Sequence, residues 1–175
     1  MNRRQTLRAG ASFLGLLAAS RLAGPAFAEA GKTFEASKAF EVTKTEAEWR
    51  KALSPAAYNV LREHGTERAG TSPLNKEKRA GRFVCAGCDL PLFASDTKFE
   101  SGTGWPSFYQ PLPDAVGTQV DTAYGMRRTE VHCRRCGGHL GHVFEDGPRP
   151  TGLRYCMNGV ALRFEPAADQ KGAAL

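Results

Sequence analysis

The chain has 175 residues, enough for one domain with a real core plus an extension, and too few for a second full domain. Its formal charge of +6 points toward nucleic acid, but Arg3, Arg4, Arg8 and Arg21 all lie in the first thirty residues, where the only acid is Glu29. Cut after Ala28, the remainder carries 20 basic and 18 acidic side chains, about +2, which is too little for the electrostatic footprint of a nucleic-acid binder.

Residues 1–28 read as an export signal. A cationic start is followed by a modestly apolar stretch from Ala11 to Ser20 and then by Ala26-Phe27-Ala28, a small-residue cleavage site. The apolar run is too short and interrupted to span a bilayer, so no stable membrane span is expected. Arg3-Arg4 ahead of a weak apolar run resembles a bacterial twin-arginine signal, although Asn2 to Leu7 match only part of its usual pattern. The expected location is therefore periplasmic or exported. An uncleaved amphipathic start or a lipid-facing anchor is the plainer reading, and Arg21 and Pro25 weaken it. Residues 29–42 form a polar linker without the periodicity of a stable element.

The folded domain is expected over 43–166. Thr45 with Glu48 has the form of a capping box, and Trp49 and Leu53 share one helical face. Ser54-Pro55 starts a second short helix with Tyr58 and Leu61 on one face and Gly65 to end it. From Gly81 the texture changes to short β-rich runs, "GRFVC", "LPLFAS", "TQVDTAYG", "MRRTEVHC", "GHVFED" and "LRYCMNGVALRF", separated by Gly, Pro and Asp. The predicted class is mainly β, a β-rich α+β fold of antiparallel sheets. In "RRTEVHC", Thr129, Val131 and Cys133 alternate with Arg128, Glu130 and His132, which predicts one buried and one wet face. Residues 167–175 are expected to fray.

Four of the five cysteines form two pairs, Cys85 with Cys88 and Cys133 with Cys136. A two-residue gap lets both thiolates of a tight turn face one ion, and two such turns make the tetrahedral Cys₄ site that zinc uses structurally. The pairs stand too far apart for a compact zinc ribbon, so the metal would clip two sequence-distant knuckles and offset loop-closure entropy. Gly87 and Gly137-Gly138 suit such turns. Disulfides, or a thioredoxin-like redox pair, are the competing readings in an exported protein. Neither pair sits on the βαβ pattern that a redox pair needs, and disulfides leave the matched spacing unexplained.

Cys156 is left over. A lone cysteine in a strand is more often a small buried hydrophobe than a nucleophile. Here Arg154 and Asn158 lie two residues to either side, on the same strand face. An ordinary thiol is only a few percent thiolate at neutral pH, and a nearby guanidinium would raise that fraction roughly tenfold. His139 and His142 are three residues apart, and with the metal saturated by cysteine they read as acid and base candidates. Trp105 stands on a Gly-rich, Pro-stiffened loop.

The elements "FVCAGCDLPLF", "KFESGTGWPSF" and "VHCRRCGGHLGHVFEDGPRPTGLRYCMNGVALRF" resemble, in order, the methionine-R-sulfoxide reductases of the B type, the MsrB family, over about residues 42–166. The resemblance implies a small barrel-like β fold with N-terminal helices and one structural zinc on the four paired cysteines, without an organic cofactor. It implies reduction of methionine R-sulfoxide, in oxidised proteins or as the free amino acid. It implies Cys156 as nucleophile, Trp105 packed on the sulfoxide methyl, and His139, His142, Arg154 and Asn158 around them, with Asp146 behind. Many members carry a resolving cysteine where this chain has Thr103, so a sulfenic acid on Cys156 would be regenerated by an external reductant, thioredoxin-like or another thiol. A zinc-knuckle binding module and a thiol-disulfide exchange protein are the alternatives. A module has no use for Trp105, two histidines and Cys156 together, and stable tetrathiolate zinc argues against exchange.

Overall fold

The computed structural model describes residues 40–167. The expected leader, most of the linker and the tail from residue 168 lie outside the described residues. Helix α1 (Glu46–Ala52) begins with the capping box read from the sequence: the Thr45 hydroxyl accepts the Glu48 N–H at 3.3 Å, and Glu48 Oε2 accepts the Thr45 N–H at 2.8 Å. Helix α2 (Pro55–Glu63) follows Ser54, whose hydroxyl accepts the Ala57 N–H at 3.2 Å. It ends one residue earlier than the sequence suggests, on His64 in the left-handed conformation with φ 55°. A Cβ at Gly65 would fall 1.9 Å from Asn59 Oδ1, so a larger residue there would turn the Asn59 side chain aside. Among the described residues no helix is long and apolar enough to cross a membrane.

Among the described residues nine strands follow, and every pairing is antiparallel. In chain order they are β1 (Gly81–Cys85), β2 (Pro91–Ala94), β3 (Lys98–Phe99), β4 (Ser107–Phe108), β5 (Val116–Asp121), β6 (Arg128–Cys133), β7 (His139–Phe144), β8 (Arg154–Met157) and β9 (Leu162–Pro166). They form a three-stranded sheet, β2-β1-β9, and a six-stranded sheet, β3-β4-β8-β7-β6-β5. The mainly β class with two leading helices is thus borne out. The run "LRYCMNGVALRF" divides: β8 ends at Met157, a single 3-10 turn at Gly159–Ala161 redirects the chain, and β9 joins the other sheet.

An aromatic cluster joins the sheets. Phe83 and Phe93 from the small sheet meet Phe108 from the large one at centroid distances of 4.9 and 4.3 Å, and Phe93 also touches Tyr155 at 5.9 Å. Burying each such ring contributes about 2–3 kcal/mol relative to leaving it in water, and each favourable ring pair adds about 1 kcal/mol. Strand β6 departs from the alternation expected of it. Thr129 is exposed and Glu130 is buried, 4% accessible, because the face read as wet lies against Gln119 and His139 and is covered by His64 at the end of α2.

On β7, Gly141 pairs with Met157 of β8 and leaves no room for a side chain. A Cβ at Gly141 would sit 2.1 Å from the Cys156 carbonyl oxygen and 3.0 Å from Met157 Cα. Gly141→Ala is therefore expected to push β8 away and lower stability by about 1–3 kcal/mol. Denaturant unfolding checks this, and an unchanged midpoint would contradict the close contact.

Candidate active site and metal centre

Both CxxC pairs occupy the same kind of turn. Cys85 ends β1 and Cys133 ends β6. In each knuckle the first cysteine's N–H donates to the carbonyl five residues on, Leu90 or Gly138, at 2.9 Å, and its carbonyl accepts an N–H from four residues on, Asp89 at 2.9 Å or Gly137 at 2.8 Å. Asp89 and Gly137 both take left-handed backbone, φ 61° and 68°. Only the second turn uses glycine for that purpose. Gly87 serves close packing: a Cβ there would touch Trp49, Leu61 and the Cys136 sulfur at 3.4–3.7 Å.

The four sulfurs lie within 4.8 Å of one another, with Cys85 and Cys136 at 3.7 Å and Cys88 and Cys133 at 3.5 Å. A disulfide needs about 2.0 Å. Four ligands at a Zn–S distance of about 2.3 Å define a tetrahedron with edges of about 3.8 Å, which these separations fit. The expected Cys₄ metal site is therefore present, and its all-thiolate donor set suits structural zinc.

Cys156 lies on β8 between two paired strands. Register sets Ser107 of β4 opposite it on one side and His142 of β7 on the other, so all three side chains leave the sheet on one face. A cavity of about 120 Å³ on that face is lined by Trp105, Arg128, His142, Phe144, Cys156 and Asn158, together with Thr66 and Gly141. Trp105 is held by its indole N–H, which donates to the Glu67 carbonyl at 3.1 Å. Thr66, Arg128 and His142 also border a neighbouring, larger cleft of about 750 Å³.

The two histidines are held differently. His142 Nε2 lies 2.7 Å from Asp121 Oδ2, an oxygen that also accepts Arg128 Nη2 at 2.6 Å. Burial pushes the His142 imidazole down, more than the Asp121 carboxylate pulls it up. His139 Nδ1 lies 2.7 Å from Glu130 Oε1, and His64 Nδ1 reaches the same oxygen at 3.2 Å. Burial alone would raise the Glu130 carboxyl, but hydrogen bonds from His139 and Gln119 and the nearby imidazoles outweigh it, leaving a value lowered to about 2. Because a carboxylate only accepts, each histidine spends one N–H on its acid: His142 keeps Nδ1 for exchange and His139 keeps Nε2.

Arg154 grips Asp146 through two bonds of 2.8 Å and lies over the Phe144 ring at 4.4 Å. That carboxylate, with the Cys156 sulfur nearby, holds the guanidinium above its ordinary range. The side-chain amide of Asn158 is bound at both ends, accepting the Glu67 N–H at 2.9 Å and donating to the Leu140 carbonyl at 3.0 Å. Glu67 also caps the turn after β8, accepting from Gly159 N and, at 3.2 Å, from Val160 N. Sequence reading missed Glu67, Thr66, Arg128, Asp121 and Glu130. A charged residue in mid-strand was a signal for Glu130, whereas Glu67 acts on a turn some ninety residues away and has no local pattern.

The SelR domain family matches residues 53–166. The chain belongs to this family. Proteins named peptide methionine sulfoxide reductase MsrB from Leptospira interrogans, Agrobacterium fabrum and Pseudomonas putida are 57%, 56% and 58% identical to it over 127 residues. Each comparison covers 72% of this chain and 97%, 94% and 96% of the respective relative. The SelR match takes in both knuckles, Trp105, the histidines and Cys156, and leaves α1 outside.

Losing one ligand of a closed metal site forfeits binding energy that is also folding energy. Cys85→Ser or Cys136→Ser is expected to lose the one zinc per chain and to lower stability by on the order of 5 kcal/mol. Elemental analysis alongside denaturant unfolding measures both, and full zinc occupancy in either variant would refute the tetrathiolate assignment.

Proposed function

We propose that this chain reduces methionine sulfoxide to methionine on Cys156, as an R-selective enzyme acting on oxidised proteins or the free amino acid. The observation that carries the reading is the place of Cys156, opposite His142 in the sheet and facing a small cavity walled by Trp105. Membership of the SelR family and relatives named as peptide methionine sulfoxide reductases support it.

The chemistry follows from what each side chain can hold. His142, kept unprotonated by burial, accepts the Cys156 proton, and Arg154 attracts the resulting thiolate. The thiolate attacks the sulfoxide sulfur, whose methyl group rests on Trp105. As the S–O bond breaks, the oxygen passes to Cys156, and His139, oriented by buried Glu130, supplies a proton directly or through water. Methionine leaves with its sulfur reduced, and Cys156 becomes a sulfenic acid. The knuckle cysteines only hold the metal. Asn158, with both ends of its amide engaged, fixes the turn after β8.

The return step needs a thiol that this site does not supply. Thr103 Oγ1 lies 3.7 Å from the Cys156 sulfur, so the position nearest the nucleophile carries a hydroxyl. Two equivalents of an external thiol, thioredoxin-like or small, reduce the sulfenic acid through a mixed disulfide and release water. Export by the twin-arginine route belongs to the same proposal, since it moves folded, metal-loaded chains and would deliver the zinc site intact to an oxidising compartment.

With separated epimers, the mature protein is expected to consume only R-sulfoxide, and Cys156→Ser to keep its zinc while losing more than about 95% of single-turnover rate, since a hydroxyl is a far weaker nucleophile. Mass spectrometry of the parent after one turnover without reductant should find sulfenic acid on Cys156. A dominant disulfide to a knuckle cysteine would overturn the one-cysteine cycle. Arg3→Lys with Arg4→Lys should strand the uncleaved chain in the cytoplasm, and normal periplasmic recovery would remove the twin-arginine assignment.

A further inference from the structure

A line of hydroxyls runs from the Cys156 sulfur along the edge of β4. Thr103 Oγ1 is 3.7 Å from Cys156 Sγ, Ser101 Oγ is 2.8 Å from Thr103 Oγ1, and Ser107 Oγ is 2.7 Å from Ser101 Oγ. The line ends at a fixed acceptor, the Trp105 carbonyl, 3.2 Å from Ser107 Oγ. Ser107 is fully buried, 0% accessible, and is the register partner of Cys156, so the line is built into the sheet. Ser101 Oγ also accepts the Thr103 N–H at 3.4 Å.

Each hydroxyl has one hydrogen and two acceptor sites. With Cys156 as a thiol, S–H points at Thr103 and every hydroxyl donates away from the sulfur, the last onto Trp105. With Cys156 as a thiolate the order reverses: Thr103 donates to sulfur, Ser101 to Thr103 and Ser107 to Ser101. Ser101 uses its hydrogen and both acceptor sites in either arrangement; the reversed order takes the Ser107 hydrogen away from the Trp105 carbonyl, and the charge on sulfur offsets that lost bond and so selects between the two.

We infer that Thr103 is a catalytic residue, donating a hydrogen bond to the Cys156 thiolate through a reversible hydroxyl relay in which Ser101 and Ser107 are positioning residues. No proton enters or leaves the relay. Three hydroxyls rotate while the thiol proton goes to His142. The other charged and titratable groups around the sulfur are Arg154 on its own strand with Asp146, His142 on β7 with Asp121, and Arg128 across the cavity. The relay supplies the side facing β4. Thr103 thus has a part in the forward reaction, beyond standing where a second thiol is missing. The inference rests on Cys156 being the nucleophile.

The test uses the mature, zinc-loaded protein and measures iodoacetamide alkylation of Cys156 against pH, located by peptide mass spectrometry, together with single-turnover methionine release. Thr103→Val, which keeps shape and removes the hydroxyl, is expected to slow alkylation near neutrality about tenfold and move its pH profile upward, since a hydrogen bond to a charged group is worth about that factor. Ser101→Ala should shift the profile the same way by about threefold, through loss of polarisation, and Thr103→Ser should stay within about twofold of the parent. Parental alkylation in both Thr103→Val and Ser101→Ala overturns the relay. If Thr103→Val fails to hold zinc, Ser101→Ala against Thr103→Ser decides. Alkylation needs no sulfoxide, so a shifted profile in a protein that never reduces sulfoxide upholds the relay and overturns the proposed function instead.

Discussion

Thiolates repel one another, so four cysteine sulfurs 3.5–3.7 Å from their partners can all be ionised only around a cation. That constraint organises the rest of the molecule. One knuckle closes the small sheet at the end of β1, and the other closes the large sheet at the end of β6. A metal bound to both adds a fixed link between two sheets that aromatic packing, the turn after β8 and the connection from β2 to β3 also join. The helices dock on the same place: Leu61 packs against Gly138, where a Cβ would approach it to 2.8 Å, and Arg62 donates to the Cys136 carbonyl at 3.1 Å.

The same clip reaches the chemistry through strand register. The second knuckle is the connection between β6 and β7, so its geometry sets how β7 enters the sheet, including the irregularity between Val131 and His132. Register across β7 and β8 then puts His142 opposite Cys156, and register across β4 and β8 puts Ser107 on the other side. Acid residues complete the arrangement from β5 and β6, where Asp121 and Glu130 each hold one imidazole. The second knuckle and the Cys156 sulfur thus belong to one hydrogen-bonded sheet, and Cys156 is not among the four clustered cysteines.

Much of this was legible in the residues. The capping box at Thr45, the proline at the start of α2 and the paired knuckles are short-range signals, each with a local physical cause, and each appears as read. What escaped the sequence is non-local. Glu130 looked like the wet side of β6 because alternation cannot show what lies across the sheet, and Glu67 went unread because its partners, Gly159 and Val160, are far along the chain. The division of the last β-rich run between two sheets was hidden for the same reason: Asn158 turns the chain using acceptors and donors supplied by Leu140 and Glu67.

The position of Cys156 in the middle of a sheet has a consequence for how such a protein works with its surroundings. Under the proposed one-cysteine cycle, a strand bonded on both sides cannot swing its sulfur out to find a partner, so every reactant must come to it, and the oxidised substrate and the reducing thiol must use the same opening in alternation. Each would then hinder the other when in excess. Under that cycle the rate of repair would become a reading of the thiol supply around the protein, slowing when reductant is scarce even while damaged methionine accumulates.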